Sequence, residues 1–591
     1  MLGRESGQTG FFQLESLGSL MDRIVPPDSF HGRMARERKH LFTDDDFAAL
    51  YSLDRGRPSV PPSQLAALML LQAQAGVSDV QAIDRMTADL RWKYALGLAV
   101  DEVLCTRVSL VHFRARLHLH DEGERIFNRI VERAQELKVL KRRGARAKVV
   151  LDTTPIFGRG AVEDTYNLLA TGIEKLVKVL ARVARRKPAA WAREHGLGGY
   201  FGSSIKGEAA VDWSDAKARR AFLAGIVADG DRLLETARSI REGVEAGSAA
   251  DKAILEAAEL LVSLLQQDVE RRDDGPALRE GVAKDRIVSV NDPDMRHGHK
   301  SKSTLFHGHK AAIAVEPESG IVTAVDVLPG NAPDSDGALE MIEATEAVTG
   351  LEVEETIGDC AYGDAATRQE FKNAGRRLVA KVPGPSSNGL FAKERFEIDL
   401  AAGTCTCPAG EVTDRLVRRR NMVDRKGHAH LVRQFNFPAE VCQACPLRSL
   451  CTRAKQGGRT IAVHPMEAEL AAARAWQNSP EFDRYRRLRQ VVEHRIARLV
   501  QLEVRQSRFF GRRKTRFQWL MAAAAANLTL VWSHGERSGR RPAVLGPFQT
   551  TAARSAWSQR SRASWALHGL SCAVATQRLA PQYLLPTRLA S

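Results

Sequence analysis

The sequence predicts an α/β protein: a mixed β-sheet interrupted by an α-helical insertion and a small cysteine-rich insertion, with helices in front. Three observations predict it. A β-branched run, Lys148-Val149-Val150-Leu151, ends in a single carboxylate, Asp152, followed by Thr153-Thr154-Pro155. Two apolar runs, residues 308–315 and 320–327, flank the turn Glu316-Pro317-Glu318-Ser319 and read as a hairpin. Other stretches, residues 173–180 and 253–261 among them, carry apolar side chains at the helical period. A carboxylate closing a buried strand is costly unless it is paired or binds a cation, so Asp152 is the first candidate for chemistry.

Composition narrows the class. The 591 residues are 44% hydrophobic and 27% charged, which suits a globular protein with several cores. No run of 18 apolar residues occurs, so no membrane span is expected. Residues 1–19 lack a basic segment followed by an apolar one, so secretion is not expected either. The net charge of +16 points to a polyanionic partner, most simply nucleic acid. Eight clustered cysteines suit a metal site in a reducing compartment better than a disulfide scaffold.

In chain order, residues 1–29 are a lead-in and residues 30–140 read as a helical N-terminal DNA-binding domain. Ser63 is placed to cap a helix over 64–72. A third helix, 106–118, carries Arg107, Arg114 and Arg116; these suit a DNA backbone, and a solvated basic face is the alternative. A second domain, 147–533, starts with the strand that ends at Asp152. Residues 165–284 are a helical insertion. The glycine-rich stretch 196–202 has no phosphate-loop lysine and reads as a loop.

After the hairpin, residues 331–336 lead into a helix (337–347). A strand follows and reaches Asp359 in Gly358-Asp359-Cys360-Ala361-Tyr362-Gly363, then a helix (366–374) and a strand (377–382). Strand, hairpin, helix, strand, helix, strand is the order of an RNase H-like domain. Its first and fourth strands are neighbours, which brings Asp152 and Asp359 together across 206 intervening residues. Of the nearby acids, Asp292 and Asp294 fall in a proline-containing turn, Asp334 reads as a helix cap, and Asp326 points to no constellation. His309 and Lys310 either face nucleic acid or edge the sheet.

Residues 384–465 form the second insertion. Cys442-x2-Cys445 is a knuckle of the kind that holds zinc. Cys407 and Cys451 complete a four-thiolate set, with Cys405 competing for the first position; such a site is structural because no coordination position stays open. Cys105, Cys360 and Cys572 stand alone. A helical stretch (466–533) carries Glu493. It contains the basic, aromatic segment 505–517, with Arg512, Arg513 and Lys514, and the small-residue stretch 522–526, suited to close packing on a sheet. Residues 534–591 are a basic tail expected to be poorly ordered.

Taken together, these residues resemble DDE-class transposases of bacterial insertion sequences, closest to the 1182-type group, over most of residues 25–533. The likeness rests on residues 30–117, Val150-Leu151-Asp152-Thr153-Thr154, and Asn291-Asp292-Pro293-Asp294 before Gly308-His309-Lys310. It rests also on 331–336, Gly358-Asp359, the Cys407 and Cys442–Cys451 pattern, Arg489-x3-Glu493 and Phe510-Gly511-Arg512-Arg513-Lys514. The resemblance implies an enzyme that binds the terminal inverted repeats of an element, cleaves there and joins the 3′-OH to target DNA. Asp152, Asp359 and Glu493 would be its catalytic triad, holding two Mg²⁺ ions (Mn²⁺ as a substitute) about 4 Å apart. Arg489 would meet the scissile phosphate, and Lys310, Arg512, Arg513 and Lys514 would add DNA contacts. A homodimer on paired ends, in the bacterial cytoplasm on nucleoid DNA, is implied with it. One departure is Val500, where relatives often have a basic residue; Arg495, Arg498 and Lys514 are the substitutes. An inactive DNA-binding descendant and a nuclease without strand transfer are the alternatives.

Overall fold

The computed structural model describes residues 1–5, 21–52, 56–120, 122–300, 303–384, 389–424 and 429–537. Helices come first: α1 (Phe30–Leu41), α2 (Pro62–Ala75), α3 (Asp79–Ala88), α4 (Leu90–Leu96), α5 (Arg107–Leu119) and α6 (Arg125–Glu136). Ser29 and Ser78 cap α1 and α3 with their hydroxyls, Ser78 in a reciprocal box with Gln81. Ser63, the expected cap of α2, is buried inside the first turn, because Pro62 starts the helix at a position where its missing N–H costs nothing.

The sheet begins with β1 (Arg146–Phe157). Then come α7 (Thr165–Val183), α8 (Ala216–Glu242) and α9 (Ala249–Asp268). The insertion was expected to be helical to residue 284; it closes instead with a ribbon of β2 (Val269–Arg272) and β3 (Gly275–Leu278). Leu169, Ile173, Leu176, Leu261 and Leu264 give it a core of its own. The sheet resumes with β4 (Arg296–His299), β5 (Leu305–Glu316) and β6 (Ile321–Pro329), then α10 (Ala338–Thr349), β7 (Glu352–Ile357), α11 (Ala365–Asn373) and β8 (Arg377–Val379). Strands β4, β5, β1, β7 and β8 lie in that order, and β6 also pairs with β5. β1 is antiparallel to β5 and parallel to β7, and β7 is parallel to β8. This mixed sheet is consistent with the RNase H-like order.

The cysteine-bearing segment folds as two small antiparallel sheets, β9 (Glu397–Asp399) to β11 (Val412–Thr413) and β12 (Leu416–Val423) to β14 (Thr460–Val463). Phe396, Cys405, Phe435, Phe437 and Ile461 form its core. Three helices follow: α12 (Glu467–Gln477), α13 (Phe482–Val500) and α14 (Arg512–Arg537). α14 runs past residue 533, where the helical stretch was expected to stop. From residue 538 the expected disordered tail, with Cys572, lies outside the described residues.

The N-terminal helices do not bury their apolar faces alone. Leu68, Phe113 and Phe127 share one core with Val150, Ile313 and Val325 of the sheet and with Val492, Trp519, Ala523 and Val531 of α13 and α14. The small side chains of residues 522–526 let α14 lie against β6, α2 and α6 at once. One polar group interrupts that face. Asn527, fully buried, accepts from the Val322 N–H at 2.9 Å and donates to the Val322 carbonyl at 2.7 Å. It thereby satisfies both backbone groups of a β6 residue beside a register shift. Asn527→Leu should keep the volume but orphan both groups, lowering the unfolding free energy by about 2–4 kcal/mol; an unchanged urea midpoint would contradict this pairing.

Candidate active site and cysteine pocket

Parallel register sets the first two acids. Val150 pairs with Ile357; two residues on, Asp359 lies just past the end of β7, whereas Asp152, expected to close its strand, sits in the middle of β1, which continues to Phe157 along β5. Asp152 accepts from the Thr153 N–H at 2.8 Å. Asp359 caps a short 3₁₀ turn, Cys360–Tyr362, accepting from the Ala361 N–H at 2.8 Å. The glycines around it answer to close approaches. A Cβ on Gly358 would fall 2.6 Å from the buried Tyr362 ring, and one on Gly363 would fall 1.7 Å from the Lys381 carbonyl oxygen.

Both carboxyls are raised. Burial, and after it the charges of Asp359 and Asp334, push the Asp152 carboxyl up to about 6 against the Thr153 N–H and Arg489. Burial likewise raises Asp359, with Asp334 adding to it and the Ala361 N–H opposing it. Asp334 was expected to cap a helix. It does not: α10 begins after Gly337, whose φ is 71°, without a side-chain cap. Asp334 instead accepts from the Lys310 ammonium at 2.8 Å, and the same ammonium donates to the Ala332 carbonyl at 2.7 Å. Lys310, expected as a DNA contact, is therefore turned inward to hold the 331–336 turn beside the acids. His309 is fully buried, 3.5 Å from the Asp292 carboxylate.

Glu493 comes from α13, whose Val492 and Leu499 pack on the shared core. Its side chain is half exposed and is held by Arg489 one turn earlier. The Arg489 guanidinium also lies 3.7 Å from Asp152, so it stands between two of the three predicted acids. Glu355 on β7 ties α13 to the sheet: it accepts from the Tyr485 hydroxyl at 2.9 Å and pairs with Lys148 of β1 and, at 2.9 Å, with Arg377. Among the described residues, no three His, Cys, Asp or Glu side chains converge to hold a metal ion. The donor chemistry nevertheless suits one: two partly buried carboxylates on neighbouring chains, both raised by burial, and a third on a helix linked to Asp152 through Arg489.

In the cysteine segment four thiols line one small pocket, although they too do not close into a metal-holding group. Cys407, Cys442, Cys445 and Cys451 line it, with Phe437, Val441 and Arg459. Cys405 is fully buried on β10 (Thr404–Thr406), between Ile398 and Thr413, and does not line it. Burial raises the Cys451 thiol, and the other three pocket thiols add to that.

The predicted DNA contacts divide. Arg107 is exposed at the start of α5. Arg114 is a correction: it is buried, donates from both Nη atoms to Asp79 and lies 5.7 Å from the Phe509 ring. A guanidinium spent on a bidentate internal pair is not offered to DNA. Arg512, Arg513 and Lys514 are exposed on the first turn of α14, where Arg513 also donates to the His118 carbonyl. That turn is held by Asp292, which accepts from the Gly511 N–H at 3.2 Å, and by Asp294, which accepts from the Arg512 N–H at 3.0 Å. Of the substitutes for Val500, burial pushes Arg495 down to about 10, Arg498 donates to Gln74 at 3.2 Å, and Lys514 is exposed.

A family model described as a transposase DDE domain matches residues 406–532, and one described as a transposase domain matches residues 19–116. The first span contains Glu493 and the four pocket cysteines, and Asp152 and Asp359 lie outside both. No curated protein matches the chain. Among the described residues, no helix is long and apolar enough to cross a membrane.

Glu355 provides a pH test of how α13 is attached. Burial raises its carboxyl, but the bonds from Lys148 and Tyr485 outweigh burial and hold it below the usual range. A depressed carboxyl stabilises the fold above its unfolded pKa, and the contribution is lost as pH falls through the folded value. Glu355→Gln should therefore be less stable than wild type by about 2 kcal/mol at pH 7. The gap should close progressively below about pH 4.3, the ordinary glutamate value; a pH-independent gap in thermal melts would refute the assignment.

Proposed function

We propose that the chain, which two transposase family models match in part, is a DDE-class insertion-sequence transposase that cuts DNA at the ends of its element and joins the freed 3′-OH to target DNA, with Asp152, Asp359 and Glu493 as the catalytic acids. The observation that supports this is the pair of partly buried carboxylates on neighbouring chains, Asp152 within β1 and Asp359 just past β7, both raised by burial. Such a pair is costly unless a positive group or ion is held there.

Magnesium, or manganese in its place, suits these oxygen donors and supplies, when bound, the charge that activates an attacking oxygen and stabilises a leaving one. Asp152 would hold it from the middle of β1, Asp359 from just past β7 and Glu493 from α13. Lys310 fixes Asp334 beside them, which keeps a further negative charge at the edge. Arg512, Arg513 and Lys514 meet the DNA backbone from the exposed turn of α14, and Arg107 meets it from α5. Hydrolysis and joining use the one site in succession, because both are displacements at phosphorus by an oxygen nucleophile. The partners are duplex DNA, as terminal inverted repeats and as target, and a second copy of the chain on the paired end. The compartment is the bacterial cytoplasm, on nucleoid DNA.

Cys407, Cys442, Cys445 and Cys451 are proposed to hold a structural zinc ion; what supports this is that all four line one pocket while Cys405 sits in the β-core. Purified protein should carry about one zinc per chain by elemental analysis, falling to near zero in Cys442→Ser/Cys445→Ser; a zinc-free wild type that keeps its melting temperature in chelator would remove the ion from the account.

For the main proposal, DNA bearing the element's ends is incubated with Mg²⁺. Asp152→Asn, Asp359→Asn and Glu493→Gln should each bind it with unchanged affinity and cut at least about 100-fold more slowly. Wild type that binds the ends and cuts in neither Mg²⁺ nor Mn²⁺ overturns the enzymatic reading.

A further inference from the structure

Arg489 is placed as neither a surface charge nor a plain structural pair. It lies on α13 one turn before Glu493, donates to the Glu493 carboxylate, and stands 3.7 Å from Asp152. A guanidinium does not lose its proton in a protein. It is therefore a permanent positive charge lodged between two carboxylates that the proposed reaction needs for a divalent ion. The same oxygens cannot serve both without bringing like charges together. Arg489 is also easy to release. Its side chain is 30% exposed and Glu493 is 52% exposed, and exposed pairs one turn apart on a helix contribute little to stability. Once freed, its planar fork matches a phosphate in bidentate fashion better than any other side chain does.

We propose that Arg489 is a movable counterion: it neutralises Asp152 and Glu493 when no divalent ion is bound, and transfers to a DNA phosphate when ions load, so that metal and DNA each tighten the other's binding. The proposal rests on the metal-dependent reading above and adds a regulation to the same site. By linkage the coupling is reciprocal, because both ligands favour the same displaced arginine. A site built this way stays charge-balanced on the free protein and acquires full affinity for the metal only when the substrate backbone is present to take over the arginine.

The test is Mn²⁺ binding to the full chain, read from the paramagnetic resonance of free Mn²⁺, with and without a duplex that ends at the already cleaved 3′-OH so that no hydrolysis intervenes. Wild type should bind Mn²⁺ at least about 5-fold more tightly with DNA than without, within the usual range of such couplings. Arg489→Met should bind Mn²⁺ more tightly than wild type in the absence of DNA and gain less than about 2-fold on adding it. Arg489→Lys, which keeps the charge and the fold, should retain most of the coupling. If Arg489→Met binds Mn²⁺ no more tightly than wild type without DNA, the counterion role is wrong while the metal-dependent reading stands. If all three proteins bind DNA and none binds Mn²⁺, the metal-dependent reading falls and this one with it.

Discussion

Everything in this fold depends on one parallel strand pairing. β1 and β7 are brought together across the whole helical insertion and the β4–β6 hairpin, and their junction places two like charges side by side in a partly buried edge. That arrangement repels itself, so the surroundings must hold it. Glu355, two residues before the end of β7, gathers Lys148 from the neighbouring strand and Tyr485 from α13. Lys310 and Arg489 bring positive charge to the rim from two other elements. Apolar packing on both faces does the rest, with α10 and α11 under one face and α13 and α14 over the other. The site is a local electrostatic cost carried by a fold that supplies compensation from every side.

How much of this was legible in the sequence varies by feature. The order of strands and helices was, because β-branched runs and helical periods mark elements whatever lies between them, and that order alone implies which strands adjoin. The four pocket cysteines were legible from the Cys442-x2-Cys445 knuckle. The rivalry of Cys405 and Cys407 was not, since residues two apart on a strand share a face and only the end of the strand at Thr406, which leaves Cys407 in the following turn, separates them. Asp334 was misread as a cap because a turn rich in Asn, Pro and Asp resembles a helix start, and its lysine partner lies 24 residues away. Arg114 looked like a surface arginine because helical spacing says nothing of what opposes a face, and Asp79 lies on another helix. The roles proposed for Asp152, Asp359 and Glu493 go further than position: the structure puts the first within β1, the second just past the neighbouring β7 and the third on a packed helix, and the run after Asp152 (Thr153 to Phe157) was misread as leaving the strand.

The Asp-Pro-Asp turn shows a second kind of concealment. Its acids look like metal ligands or idle turn residues, and both serve the backbone of a helix more than 200 residues away. The missed signal was reciprocal: Gly511 precedes a basic helix whose first N–H groups require acceptors, and no acid stands locally to supply them. By spending Asp292 and Asp294 on that helix start, the chain fixes where Arg512, Arg513 and Lys514 emerge relative to the sheet.

The shared core also bears on how the protein is made. Helices from residues 30–136 and the sheet are covered by α14, which ends at Arg537, and Arg508 just before it donates to the carbonyls of Gly76 and Val77. The first helices to leave the ribosome therefore wait for nearly the last before their apolar faces close. Contacts of such long sequence separation form slowly and leave greasy surface exposed meanwhile. Synthesis cut short before α14 would yield a chain with an open core, destined for aggregation or proteolysis. A nascent or truncated copy is thus kept from acting by its own topology.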